Sequence, residues 1–475
     1  MKQPVDKKGN KIVQFIKKHL LALILIISMV IRLGAALYLG DHVIELPGTY
    51  DQISYHTLAT RLVEGHGFSF ASDWWPATAA GEPTAHWSYL YTLYLAAVYT
   101  LVGIHPIVAR VIQALIAGFL MPWLAYRITR KIFRTQPHQT QRRFGEEQLA
   151  LLAAAWVALY GYFIYYAGTL MTETFFILCI LWSLDCALRI FDQPLAVPAH
   201  QWIELGIATG SVILLRQLFL VFLPFLFLWL IWSRIRRHQE LQRGRVMRLL
   251  AGLIISAIVV ALLIAPFTVY NYQRFNRFVL LNTNAGYALF WSNHPIHERW
   301  FIPLFTPDMP SYQDLIPAEL RHLNEADLES ALMSQGIEFV VQDPVRFVQL
   351  SISRIPAYFI FWPLKESGIL SNIVRVGSFG LSLPFMVLGI VLWIMGMRKL
   401  RTHDEDWKRV IAPGVLLLLF VFIYTGIHLV SWAGIRYRLP VDAVGLIFAA
   451  KGLETVLRRG AQIFQNRTRG KSLSA

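Results

Sequence analysis

The sequence predicts an all-α protein that crosses a membrane many times. Hydrophobic residues make up 56% of the chain and charged residues only 15%, well under the roughly 25% charged content of soluble chains, and the mean hydropathy is +0.48. Apolar runs approaching the roughly 20 residues that a bilayer core demands recur from one end of the chain to the other, so one multi-span domain fits better than a soluble domain on an anchor. The net charge of +15 does not indicate nucleic acid, because Lys and Arg collect in short stretches between the apolar runs, as the positive-inside bias produces. The two cysteines, Cys179 and Cys186, stand about 10 Å apart along one helical run, too far for a disulfide. Neither a disulfide framework nor a cysteine metal motif is present.

Charge counting orients the elements. A basic amino-terminal stretch over 1–19 precedes Leu20–Leu39, which is too long for a signal-peptide core and contains Arg32, so it reads as an uncleaved first span. Basic clusters at the amino terminus, Arg127–Arg143, Arg234–Arg248, Arg398–Arg409 and Lys451–Lys471 are expected on the cytoplasmic side. The membrane domain then covers 20–457, with an external loop over 40–105, a long external loop over 271–375 and a basic tail over 458–475. In the first loop Tyr55, Leu58, Ala59 and Leu62 fall at i, i+3, i+4 and i+7, the pattern of an amphipathic helix on the membrane surface, ended by Gly65 and Gly67. Trp87–Gly103, short and rich in Tyr, is expected to be interfacial or re-entrant, leaving Pro106–Ile128 as the next crossing.

Leu149–Ala167 and Thr172–Ile190 cross out and back, Trp202–Leu215 and Gln217–Ile231 make a short pair with Arg216 at its outer turn, and Leu249–Tyr270 crosses outward. Pro356–Trp362 is expected to dip into the interface, and Val376–Met397, Ile411–Leu429 and Leu439–Leu457 bring the total to about ten crossings.

Four features converge on the external face. Asp51 opens the amphipathic helix, either as a simple N-cap or as a functional carboxylate. Glu82 and His86 precede the interfacial helix within reach of the same cavity; His86 reads equally as a headgroup-level residue of an aromatic belt. A divalent metal needs more oxygen or nitrogen ligands than these two supply, so the metal signal is weak. Glu173, at the outer end of two apolar spans, is either an intramembrane functional carboxylate or a solvated one favoured by a helix amino terminus. Arg216, Arg436 and Arg438 run against the positive-inside bias, and guanidinium groups at that level suit a phosphate, whether of a substrate or of ordinary lipid headgroups. Carboxylates and arginines on one face describe a site where a lipid phosphate is held and a hydroxyl or amine is activated.

Several short patterns together resemble a known family. Tyr50-Asp51-Gln52-Ile53-Ser54-Tyr55 with Leu58-Ala59, Leu62 and Gly65-His66-Gly67-Phe68, then Leu101-Val102-Gly103 with Ala109-Arg110, Thr172-Glu173, Gly206 to Arg216, Ala265-Pro266 with Asn271-Tyr272, and Arg436-Tyr437-Arg438-Leu439-Pro440 follow one another as in the bacterial membrane glycosyltransferases related to protein O-mannosyltransferases and lipid A aminoarabinose transferases. This chain has Ser88-Tyr89 where many relatives have two prolines, and His86 near the position of a metal-binding Glu in the aminoarabinose enzymes.

The resemblance implies a GT-C fold with juxtamembrane helices in the first external loop, a polyprenyl-phosphate sugar donor, and a protein, lipid or glycan acceptor. It implies a bacterial inner membrane location with the active site on the periplasmic face. By it, Asp51 and Glu173 are catalytic, Arg216, Arg436 and Arg438 clamp the donor phosphate, and Tyr55 and Asn293 touch substrate. A divalent metal, with His86 and Glu82 as its nearest ligands, stays open. A non-enzymatic lipid or glycan transporter and a surface-polysaccharide polymerase or ligase are the alternatives.

Overall fold

The structure is a computed structural model that describes residues 7–134, 145–193, 197–237, 243–303, 308–365, 367–400 and 404–472. Lys2 and parts of the basic clusters after Arg127, Arg234 and Arg398 lie outside the described residues. Every named element is a helix. The first, α1 (Lys7–Leu39), is followed by α2 (Asp51–Val63), α3 (Tyr89–Val102) and α4 (Pro106–Ile132). Next come α5 (Glu146–Leu159) and α6 (Gly161–Gly168), then α7 (Glu173–Asp192), α8 (Ala199–Leu215), α9 (Leu223–Arg237) and α10 (Arg243–Phe275). The long segment expected as an external loop contains α11 (Ala285–Asn293), α12 (Glu325–Gln342), α13 (Pro344–Tyr358) and α14 (Ile369–Arg375). The chain closes with α15 (Leu381–Leu400), α16 (Asp404–Val430) and α17 (Ile435–Ser472).

Among the described residues seven helices are long and apolar enough to cross a membrane, or eight if the bent pair α5 and α6 counts as one span. The expected ten also counted α8 and α17. α8 has 17 residues, or about 26 Å of helix, and α17 carries Arg436, Arg438, Asp442, Lys451 and Glu454. Both pack inside the bundle, α8 against α7 and α10, and α17 against α5 and α15. Every residue from Arg438 to Ala450 is buried, so the polarity of α17 faces protein rather than lipid, which a hydropathy count cannot register. Where α15 meets α17, a Cβ on Gly389 or Gly452 would strike the carbonyls of Phe448 and Phe385; the bare glycines allow this close approach.

The break at Tyr160 bends α5 against α6 by 49°. It frees carbonyls at the end of α5, and Arg32 from α1 takes them: its Nη1 donates to the Ala158 carbonyl at 2.8 Å and its Nη2 to that of Val157 at 3.0 Å. An unsatisfied carbonyl in apolar surroundings is costly, so the arginine fixes the bend.

At one end of the bundle the first loop and the long segment form a joint wall. Glu325, buried at the start of α12, accepts from the Ala85 amide and Thr78 hydroxyl at 2.8 Å each and the Thr283 hydroxyl at 2.6 Å. Tyr287, Phe290, Trp291, Ile316, Leu328 and Leu332 form a small core there, against which Trp75 and Trp432 pack. Pro356 lies in the last turn of α13 rather than in a separate dip.

His297 is buried in this wall. Its Nδ1 accepts from the Ile302 amide at 3.2 Å while Nε2 bonds the Trp291 carbonyl at 2.8 Å. Burial, reinforced by Arg354, His294 and Arg346, brings its pKa down to about 4. A depressed histidine contributes stability that is complete above the ordinary value of about 6.5 and is lost as pH falls through the folded value. Proteolytic susceptibility of the 285–358 region is therefore expected to rise between about pH 6.5 and 4, and His297→Gln is expected to flatten that rise.

Candidate functional site

The local structure around Asp51 is set by its neighbour. Gln52 is buried, donating to the Ile44 carbonyl and to the Thr49 hydroxyl at 3.2 Å, and accepting from Arg110 and the Leu170 amide at 3.4 Å each. These bonds pin the first turn of α2. Asp51 is not an N-cap: Tyr50 holds that position, without a side-chain cap, and Asp51 is the first residue of the helix. Its Oδ2 instead accepts from Arg436 Nη1 at 2.7 Å. Tyr55, one turn on, packs edge-on against Trp87 at 5.5 Å and Tyr91 at 5.0 Å. Burial, with Asp51 next in effect, pushes its hydroxyl well above the usual tyrosine range, so Tyr55 stays protonated and able to donate.

Glu173 begins α7 with its carboxylate buried. It accepts from Arg216 Nη2 and lies 3.8 Å from Arg436 Nε. Arg216, at the break between α8 and the following turn, also donates twice to the Thr172 hydroxyl at 3.1 Å. The Tyr437 ring separates the two cations, 5.6 Å from Arg216 and 4.9 Å from Arg436. Asp51, Glu173, Arg216 and Arg436 thus form an electrically neutral quartet, drawn from four distant parts of the chain.

Asp51, Arg216 and Arg436 line a cavity of about 1710 Å³ that reaches Trp75, His86 and Trp291 on the joint wall and Tyr38 and Leu370 on the bundle's flank, while Glu173 does not line it and is bonded to Arg216. His86 Nδ1 is buried and has no partner among the described residues; burial lowers its pKa, opposed by Glu325 and Asp51, which favours the neutral ring.

Besides Glu173, three sequence-predicted residues do not line this cavity. Arg438 is fully buried, pairs with Asp442 at 2.9 Å and donates to the Tyr358 carbonyl at 2.8 Å. Two positions along a helix amount to about 200° of rotation, so Arg436 and Arg438 cannot face one cavity. Asn293 is also buried, donating to the Leu289 carbonyl at 2.9 Å and accepting from Arg354 at 3.2 Å. Glu82 is exposed and does not line the cavity, so it does not share a site with His86. Among the described residues no three His, Cys, Asp or Glu side chains converge as metal ligands. The two site carboxylates face guanidinium groups instead.

Sequence reasoning missed the aromatic wall and Arg375, which also lines the cavity. Like Arg216, Arg375 is an arginine at the outer end of an apolar run, and that signal was available.

No protein-family model matches the chain and no curated protein matches it in sequence. Solved structures do match. The archaeal oligosaccharyltransferase AglB from Archaeoglobus fulgidus, in complex with an inhibitory peptide and a dolichol-phosphate, has a TM-score of 0.56 at 15% identity, covering 95% of this chain and 52% of its own. The fold is GT-C. The oligosaccharyltransferase in complex with Zn and sulfate gives 0.54 at 15% identity, over 92% and 49% of the two chains. ArnT from Cupriavidus metallidurans bound to undecaprenyl phosphate is similar over 91% of this chain and 77% of its own, at 13% identity and a TM-score of 0.38. The chain spans about half the length of the oligosaccharyltransferase it matches.

Removing one member of a buried pair strands the other charge at a cost of about 3–5 kcal/mol. Glu173→Gln, which leaves Arg216 uncompensated, is expected to lower the melting temperature measured in detergent. Glu173→Gln with Arg216→Gln is expected to recover part of the loss, the sign of a coupled pair.

Proposed function

We propose that this protein is a membrane glycosyltransferase that moves a sugar from a polyprenyl-phosphate donor to an acceptor, with Asp51 at the reaction centre. The observation that carries the reading is the quartet of Asp51, Glu173, Arg216 and Arg436, of which Asp51, Arg216 and Arg436 line a large cavity. The dolichol-phosphate and undecaprenyl phosphate bound to the two fold relatives support a donor of that class. A bacterial inner membrane, with the site on the periplasmic side, follows from the charge pattern and the family resemblance.

In this reading the acceptor oxygen or nitrogen forms a bond to the anomeric carbon, and the sugar–phosphate bond breaks with its electron pair left on the phosphate. Asp51 accepts Arg436 through one oxygen. That leaves the other carboxylate oxygen to orient the acceptor through a hydrogen bond, and the departing phosphate takes up the proton. Arg216 and Arg436 hold the carboxylates in place and add positive potential where charge develops on the leaving group, in a water-poor cavity where that potential is strong. Glu173 positions both arginines. Tyr55 flanks Asp51 as a donor toward the sugar.

The test is release of labelled sugar from defined polyprenyl-phosphate sugars by the purified protein. Asp51→Asn, nearly isosteric, is expected to lower turnover by about 10²-fold or more with folding unchanged, and a variant that kept full turnover would overturn the role given to Asp51. Because guanidiniums rather than further ligands face the carboxylates, turnover is expected to survive a chelator. Binding of donors without turnover of any would favour a carrier.

A further inference from the structure

Within the long segment after α10, the helix α13 is built inside out. Val345, Val348, Ile352 and Ile355 fall on one stripe about 80° wide, and they are 64%, 54%, 59% and 42% exposed. The opposite side is turned into the protein and carries the hydrogen-bonding groups. Arg346 donates to the Asn293 and His294 carbonyls at 2.9 and 2.7 Å, the Ser353 hydroxyl accepts from the Phe301 amide at 2.9 Å, and Arg354 donates to the Leu429 carbonyl at 3.1 Å. A helix on a water-facing domain turns its aliphatic stripe inward and its polar side out. Here the order is reversed, and a contiguous exposed apolar face of this kind marks a docking or membrane surface.

The bonds of α13 fix its level. Leu429 stands next to the end of the apolar span Ile411–Val430, so Arg354 sits at the outer end of that span, at headgroup depth. The Tyr358 carbonyl, at the end of α13, accepts from Arg438 in the first turn of α17 at 2.8 Å. Beyond it, exposed apolar residues continue along the chain through Phe361 and Trp362 to Ile369 and Leu370, which open the span Ile369–Met397. The stripe is therefore continuous with the surface that the spans present to lipid. From Val345 to Ile355 it extends over about 15 Å of helix. Upright on the membrane, α13 would hold Val345 that far out in water. Lying flat, it sets all four side chains at the roughly 5–10 Å depth that interfacial helices reach.

We propose that α13 lies in the bilayer surface on the cavity side, with Val345, Val348, Ile352 and Ile355 among the lipid chains. The joint wall then rests on the membrane through this helix. Phe347, on another side of α13, lines the cavity, so the helix partitions the cavity from lipid. The assignment stands whether or not a sugar is transferred.

The test adds one cysteine to the full-length protein, by Val348→Cys or Ile352→Cys, and labels it with a nitrobenzoxadiazole fluorophore in nanodiscs of phosphatidylcholine and phosphatidylglycerol at one copy per disc. Labelled wild type, whose Cys179 and Cys186 lie within α7, supplies the background. Glu319→Cys, exposed in the polar segment before α12, is the water-facing control. Both stripe positions are expected to emit to the blue of the control and to resist aqueous iodide. They are expected to lose most of their emission to lipids carrying a nitroxide near the headgroup end of the acyl chain, and less to a nitroxide at the chain terminus. The two positions are read independently, each with a melting temperature equal to wild type as the check on folding. Emission like the control's, quenched by iodide and not by nitroxide lipids, would overturn the proposal. Shielding that appears only when two copies share a disc would also overturn it, marking the stripe as a contact between copies. Stronger quenching from the chain terminus would do the same, since it would make α13 a span.

Discussion

The structure depends on guanidinium groups seated on helix carboxyl ends. Each helix leaves its last carbonyls without intrahelical partners, and apolar surroundings offer no water to take them. Arg32 closes the end of α5, Arg110 the end of α1 and Arg354 the ends of α11 and α16. Arg438 does the same after α13 and Arg234 after α7. A guanidinium suits the task because it presents five donors in a rigid fork and stays charged beside the negative end of the helix dipole. Without Arg32 the break at Tyr160 would leave carbonyls bare, and that break is what turns α6 so that Tyr162, Tyr165 and Tyr166 line the cavity.

The same side chain type does different work a few ångströms away. At the cavity wall Arg216 and Arg436 answer Glu173 and Asp51, and the balanced charges keep the desolvation cost of the wall low. The aromatic side chains of the opposite wall, among them Trp75 and Trp291 stacked at 5.5 Å, give that wall a flat apolar face.

The wall is held by few bonds. Glu325 ties residues 78 and 85 of the first loop to Thr283, so one carboxylate joins the segment after α10 to the segment before α3. The position of Asp51 is fixed independently, through Gln52 to α4 and the residues before α7. The joint wall and Asp51 thus rest on separate supports.

By itself the sequence determined the class of fold and most of the helices, because apolar length and basic punctuation are local properties that a bilayer enforces residue by residue. It also singled out Asp51, Glu173, Arg216 and Arg436, since charged groups at the outer ends of apolar runs are costly enough to stand out one at a time. Tertiary structure alone decided which of them share a wall. Arg438 matched the same pattern as Arg436 and turned inward to Asp442, because helical rotation separates positions two apart; Asn293 went to packing beside Arg354; Glu82 stayed at the surface. The charge balance of the quartet is likewise invisible in sequence. It depends on which carboxylate each arginine reaches, and those partners lie 43 residues away for Arg216 and 385 for Arg436.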